Sequence, residues 1–136
     1  MQDRPTYDEL LAAIETFLDK EIVPNVPGSR GFHARVAANA IRIIRRELEG
    51  REEQLLGEWQ GLHTLLGPAE RPANLAALTE ALQERNRQLA GRIRNGDADD
   101  GEFAAQVRAH THRTVAEKLR VSDPGLLERS GEGPFA

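Results

Sequence analysis

Apolar residues recur every three or four positions along most of the chain, which is the spacing of an amphipathic α-helix. The pattern predicts five helices, over about residues 7–22, 29–48, 51–66, 75–94 and 100–119. Alanine and leucine outnumber the β-branched residues, and aromatic residues make up only 4% of the chain. Because alanine and leucine favour helix and β-branched and aromatic residues favour strand, composition points the same way as spacing.

Local signals mark where these helices begin and end. Thr6 and Glu9 fit a capping box at the start of the first helix. Asn74 and Asp99 stand where the N-caps of the fourth and fifth helices are expected. Gly50 either ends the second helix or kinks the chain into the third. Further stop signals lie at Pro24, Gly67–Pro68 and Asn95–Gly96.

We therefore expect an all-α fold, a compact bundle of four to five amphipathic helices. Residues 1–121 are expected to form a single helical bundle domain, and residues 122–136 a loosely ordered C-terminal tail. A single bundle of five helices cannot bury every apolar stripe of this sequence. The apolar surface of the first or third helix is therefore expected to be shared across a two-fold axis in a homodimer.

Charge and composition exclude several classes of function. A net charge of −4 argues against general binding of nucleic acid. The chain has no cysteine, which excludes disulfides, thiolate catalysis and cysteine-based metal sites. No apolar run approaches the ~18 residues that a membrane span requires, and the acidic N-terminus does not resemble a signal peptide. We expect a cytoplasmic protein with neither a nucleic acid nor a membrane partner.

The most informative residues are polar side chains on the apolar stripes. Asn39 and Asn86 stand where helical spacing requires an apolar residue, so both are predicted to be buried and hydrogen-bonded. His33 lies within the apolar arc of the second helix, and His110 lies on the inner face of the fifth. A structural network between helices is the favoured interpretation, a polar pocket for a small ligand is the second, and exposure through a different helix phase is the third.

Arginines form the most concentrated charge of the sequence. Arg35, Arg42 and Arg46 fall on one flank of the second helix. They could meet the phosphates of a nucleotide or coenzyme, or an acidic partner helix. A solvated face paired to nearby acids is the favoured interpretation.

Motifs for catalysis and metal binding are missing. The sequence has no P-loop, no Gly-x-Ser-x-Gly elbow and no Gly-x-Gly-x-x-Gly loop. Its four histidines include no pair at i, i+4, and none follows a carboxylate by three positions as in diiron bundles. We therefore predict no catalytic residue, no metal site and no cofactor.

Two segments resemble a family of small uncharacterised bacterial helical proteins. They are Arg-Pro-Thr-Tyr-Asp-Glu-Leu-Leu at residues 4–11 and Phe-His-Ala-Arg-Val-Ala-Ala-Asn-Ala at residues 32–40; residues 118–124 resemble the family's ending. Members of that family tend to be encoded beside acyl-CoA dehydrogenases and aminoglycoside-phosphotransferase-like kinases. The resemblance therefore implies an accessory role in acyl-CoA or related catabolism, and it adds weight to His33, Arg35 and Asn39.

Together these observations predict a non-enzymatic accessory or interaction protein. Its expected partner is an acyl-CoA dehydrogenase-like or phosphotransferase-like enzyme, or a second copy of the chain. The alternative is a helical bundle that binds a small ligand, such as an acyl-CoA or a nucleotide, or that is catalytic. The candidate residues for that ligand site or polar network are His33, Arg35, Asn39, Asn86 and His110.

Overall fold

A computed structural model describes residues 3–129 of the chain and confirms the all-α fold. Within that range there are five α-helices and no strand. A short π-helical segment, Leu18–Ile22, continues the first helix. The α-helices are α1 (Tyr7–Phe17), α2 (Ser29–Leu66), α3 (Leu75–Arg94), α4 (Gly101–Ser122) and α5 (Pro124–Arg129).

The N-caps of α1 and α3 are the predicted ones. The Thr6 hydroxyl accepts a hydrogen bond from the backbone N–H of Glu9 at 3.2 Å, and the Glu9 carboxylate accepts one from the Thr6 N–H at 2.7 Å. At α3, the Asn74 side chain accepts from the backbone N–H of Ala77 at 2.9 Å. Each cap satisfies an N–H that has no partner within its own helix.

The second and third predicted helices are one helix, so the prediction that Gly50 ends the second helix is wrong. α2 runs through Gly50 without interruption for 38 residues. A glycine inside a helix costs only about 0.5–1 kcal/mol relative to alanine. Good helix formers stand on both sides of Gly50 and no proline lies inside α2, so the helix continues.

The start of α4 also differs from the prediction. Its N-cap is Asp100 and not Asp99. The N–H of Asp99 donates to the carbonyl of Gly96 at 3.2 Å, which places Asp99 inside the preceding turn. Gly101 then takes a positive φ of 77°, a backbone conformation open to glycine, and the helix begins there.

The first part of the predicted C-terminal tail contains a short helix, α5. Asp123 accepts a hydrogen bond from the N–H of Leu126 at 3.2 Å, and Pro124 occupies the first position of α5. Proline suits that position because its missing N–H would have no helical partner. The rest of the predicted tail, residues 130–136, lies outside the described residues.

The described residues fall into two units, with the boundary between Glu49 and Gly50. Unit 1 contains α1, the π-helical segment and the first part of α2. Unit 2 contains the last part of α2 together with α3, α4 and α5. The single-domain organisation expected for residues 1–121 stays a prediction.

Unit 2 has an apolar core built from three helices. Leu62 of α2 and Leu78 of α3 are its largest fully buried side chains. The core cluster comprises Trp59, Leu62, Leu65, Leu78, Leu82, Leu89 and Val107.

Unit 1 is organised by charge and by small residues. None of the residues of α1 or of the π-helical segment is buried. On α2, the buried positions of this unit are Gly31, Ala34 and Ala38. Large apolar side chains of both helices therefore stay at the surface of unit 1.

Candidate functional site

The most distinctive surface of the molecule is formed by large apolar side chains on unit 1. Each of them is 42–58% exposed. We call six of them, which helical spacing places on one side of unit 1, the apolar face of unit 1: Tyr7, Leu10, Ile14 and Phe17 on α1, and Ile44 and Leu48 on α2. Phe32 and Val36 are equally exposed but lie about 80–160° around α2 from Ile44 and Leu48.

Helical spacing explains why these residues form rows. On α1 they follow one another at intervals of three, four and three residues, which keeps them on one side of the helix. On α2, Ile44 and Leu48 are four residues apart and lie on the same side, whereas Phe32, 16 residues before Leu48, lies about 160° around the helix from it. The sequence therefore places an apolar row on each of two helices joined by a short connector.

Ion pairs show which sides of α1 and α2 face each other. Arg42 donates to Glu15 at 2.8 Å and also pairs with Asp19. Arg45 contacts Asp8 and Glu15, each at 2.7 Å. Since Asp8 pairs with Arg45 and Asp19 with Arg42, the two helices run antiparallel.

The apolar rows point away from these paired charges. At about 100° per residue, Ile14 projects well away from Glu15, and Ile44 projects away from both Arg42 and Arg45. In an antiparallel pair with this seam, Ile14, Ile44 and Leu48 fall on the same side. Unit 1 therefore has an apolar side and a charged side.

The charged side contains a groove of about 540 Å³. Arg42 and Arg45 pair with Asp8 and Glu15 of α1 and with Asp19 of the π-helical segment. Hydrogen bonding to Arg45 lowers the pKa of Asp8. Burial opposes the charge of Arg42, but hydrogen bonds to Asp19 and Glu15 raise its pKa overall. The groove is lined by Tyr7, Asp8, Glu15, Arg42, Arg45, Arg46 and Glu49.

In this groove, one arginine of the α2 flank, Arg42, pairs with acids of the same chain. The acidic helix that Arg42 meets is α1 of the same chain, so its charge is balanced internally. The lining holds as many carboxylates as arginines, which does not favour a phosphate. Arg35 is exposed and does not line the groove.

Three of the five candidate ligand or network residues lie on unit 1. His33, Arg35 and Asn39 are all exposed on α2. The prediction that Asn39 is buried is wrong, because the inner side of α2 consists of Ala34, Ala38 and the ion-paired arginines. The Phe32–Val36 row, beside which Asn39 lies, faces outward.

The other two candidates lie in unit 2. Asn86 is half-buried, and its side-chain N–H donates to the Glu58 carboxylate at 2.7 Å, so its predicted hydrogen bond is confirmed. His110 is 5% exposed, and within residues 3–129 its Nδ1 has no hydrogen-bond partner. The structure thus divides the five candidates between two units.

The surroundings of His110 disfavour the charged form of its imidazole. Burial lowers the pKa of its imidazole, and the charges of Arg113 and Lys118 act in the same direction against the opposing charge of Glu58. The ring lies against Gly61 of α2, where a Cβ atom would overlap it. A glycine at this position is what allows α2 and α4 to approach.

Sequence analysis missed the buried Arg85. It is 8% exposed, and its guanidinium donates to the carbonyls of Leu62 at 3.0 Å and Gly67 at 2.7 Å. It also lies over the Trp59 ring, 5.2 Å from the ring centroid. Arg85 therefore caps the C-terminal end of α2, where carbonyl groups lack helical partners and a cation is favoured.

A second arginine of α3 supports the same helix end. Arg92 donates to the carbonyl of Leu65 at 3.1 Å and lies 4.0 Å from the centroid of the Phe103 ring. Both arginines thus act on the fold of unit 2. A signal for Arg85 existed in its spacing, three residues after Leu82 and four before Leu89.

The described residues contain neither a metal-binding cluster nor a membrane-spanning helix. Residues 3–129 contain no group of three or more His, Cys, Asp or Glu side chains placed to hold a metal ion. Among the helices in that range, none combines the length and the apolar character needed to cross a membrane.

Comparison with known proteins places the chain in a family. A domain of unknown function, DUF6285, matches residues 24–126, which include nearly all of α2 to α5. No curated protein and no solved structure matches the chain. Since the match covers most of the sequence, the chain belongs to the DUF6285 family.

Proposed function

We propose that this protein is a non-enzymatic interaction protein that binds another protein chain through the apolar face of unit 1. The observation that carries the proposal is the exposure of six large apolar side chains on one side of two neighbouring helices. Exposed apolar patches mark interaction surfaces, because the release of water from them is favourable in free energy.

A partner that covers the apolar face would stabilise unit 1. Its helix α1 buries no residue, so the hydrophobic contribution to its stability is small in the isolated chain. Most helical stability in proteins comes from packing an apolar stripe against another element. A bound partner would supply that packing.

The accessory role extends this proposal to a partner enzyme. The sequence resemblance makes an acyl-CoA dehydrogenase-like or a phosphotransferase-like enzyme the first partner to test, in the cytoplasm and in the service of acyl-CoA metabolism. The match to a domain of unknown function is compatible with such a role but does not specify it.

Binding to immobilised enzymes tests the proposal. We expect the wild-type chain to bind one of the two enzymes at micromolar concentration and Ile14→Glu to lose that binding. Thr16→Glu is the matched control, because it places the same charge on an exposed position of α1 outside the apolar row. Absence of any complex at micromolar concentration would contradict the proposed enzyme partner.

The alternative is a small-ligand site or catalytic bundle using His33, Arg35, Asn39, Asn86 and His110. It has less support, because three of these residues are exposed on unit 1 and two lie in unit 2. A thermal-shift screen with acyl-CoAs and nucleotides discriminates the two functions. A ligand present at 100 times its Kd would stabilise the fold by about 2.7 kcal/mol.

A further inference from the structure

We infer that the chain covering the apolar face of unit 1 is a second copy of this protein. The inference rests on the proposed function, since it names the occupant of the same surface. In this dimer, α1 and the first part of α2 from each copy form a four-helix bundle, in which the apolar faces of the two copies pack against each other.

The area of the apolar face suits a stable dimer. Residues of this size carry roughly 150–250 Å² of surface each. With about half of that surface exposed on six residues, the face presents on the order of 600 Å² per copy. Stable specific interfaces bury about 600–1,000 Å² on each partner, so one copy covering another reaches the lower end of the usual size.

The charge distribution favours a partner of the same sequence. A two-fold interface brings the same patch of both copies together, so the patch has to be complementary to itself, as an uncharged apolar surface is. All six residues of the face are uncharged. The nearby charges of Arg42 and Arg45 are satisfied by Glu15, Asp8 and Asp19 of the same chain, so none of those pairings requires an opposite charge on a partner.

Helix packing also favours a second copy as the partner of unit 1. Two antiparallel helices with one apolar side form a single layer, whereas stable domains are built from at least two packed layers around a core. Two such pairs related by a two-fold axis give four helices around a shared core, the architecture of four-helix bundles. The same operation covers the unburied side of α1 in both copies.

Light scattering coupled to size-exclusion chromatography tests this inference on the full chain. We expect the wild type to have twice the chain mass of 15.1 kDa. Ile14→Glu is expected to raise the dimer dissociation constant on the order of 100-fold, because the two-fold axis buries the new charge twice. Thr16→Glu should dimerise as the wild type does. Circular dichroism should show the same helix content in both variants, since position 14 is exposed in the single chain.

Single cysteines locate the interface independently. The chain contains no cysteine, so Ile14→Cys and Thr16→Cys each carry one thiol. A short bifunctional thiol cross-linker should join copies of Ile14→Cys at least tenfold faster than copies of Thr16→Cys. Equal rates would overturn the assignment of the interface to this face.

Different results would contradict the second copy and the proposed enzyme partner. A wild-type chain that stays at 15.1 kDa at the highest concentration overturns the second copy as occupant. If that monomer binds an enzyme through Ile14, the proposed function stands with a different occupant. A dimer that binds neither enzyme leaves the inference intact and contradicts the enzyme partner.

Discussion

Gly61 lets α2 approach α4 at the buried imidazole of His110. A Cβ atom at this position would overlap the ring, whereas a Cβ atom at Gly91 of α3 would meet no atom within 4 Å. Overpacking a close contact typically costs about 1–3 kcal/mol, so Gly61→Ala should lower the free energy of unfolding by that amount. Gly91→Ala should raise it by about 0.5–1 kcal/mol, because alanine loses less entropy in a helix.

Urea unfolding followed by the fluorescence of Trp59, the one tryptophan of the chain, measures both changes. Trp59 belongs to the core cluster of unit 2, so its signal reports the unit in which both glycines lie. Equal stabilities for the two variants would contradict the close approach at Gly61.

The buried His110 makes the stability of unit 2 depend on pH. Its folded pKa lies below the ordinary value of 6.5, so as pH falls the unfolded chain binds the proton first. The contribution of this group is complete above pH 6.5 and decreases as pH falls towards the folded pKa. One group changes the free energy of unfolding by at most about 1.4 kcal/mol per pH unit.

Urea unfolding at several pH values between 7.5 and 5 measures this dependence. We expect His110→Gln to lose stability less steeply with falling pH than the wild type. The comparison uses the slopes with pH, so a constant packing cost of the substitution does not affect it. Parallel slopes would show that His110 titrates alike in both states.

Residue-level patterns predicted burial well for the apolar side chains of unit 2, but not for those of unit 1 or for polar side chains. Asn86 and Arg85 are neighbours on α3, and both are spaced to meet the seam between Leu82 and Leu89. The sequence singled out Asn86 because arginine is usually a surface residue. Arg85 is buried because its partners are backbone carbonyls at the end of α2, and a sequence pattern does not show which helix end lies nearby.

At the level of elements, signals confined to a few residues were the most predictable. The Thr6–Glu9 and Asn74–Ala77 contacts each span three residues, so their partners can be identified from the sequence alone. Gly50 was misjudged because a glycine is compatible both with a helix end and with a helix interior. The choice depends on the residues that follow, which continue the helix.

Substitutions at Gly50 distinguish one long helix from two. In a continuous α2, Gly50→Ala should raise the free energy of unfolding by about 0.5–1 kcal/mol. The new methyl group would meet only the flexible side chain of Gln54, at 3.0 Å. Gly50→Pro should lower the free energy of unfolding by about 3 kcal/mol or more, because it removes a backbone hydrogen bond.

Thermal or urea unfolding followed by circular dichroism measures both substitutions. A glycine that ended the helix in a left-handed conformation would give the reverse result for alanine, which is strained there. Destabilisation by Gly50→Ala would therefore contradict the continuous helix.

For the whole molecule, local patterns predict which side of each helix is apolar but not what covers that side. The rows on α1 and α2 were identifiable from spacing, and their exposure is a property of tertiary structure. In unit 2 the corresponding stripes meet within one chain and form the core. In unit 1 they do not, so a homodimer, expected from the number of stripes, is the arrangement that would give unit 1 a core.

Hydrogen exchange at two protein concentrations tests that arrangement across the whole chain. If a second copy covers unit 1, the backbone amides of α1 should exchange more slowly above the dimer dissociation constant than below it. Amides beside Leu78 and Leu82 of α3 should exchange at the same rate at both concentrations, because their protection comes from the core of unit 2. In Ile14→Glu, α1 should show the fast exchange of the diluted wild type at both concentrations. If α1 is equally protected at every concentration in the wild type and in Ile14→Glu, its stability does not come from a second copy, and the four-helix arrangement is wrong.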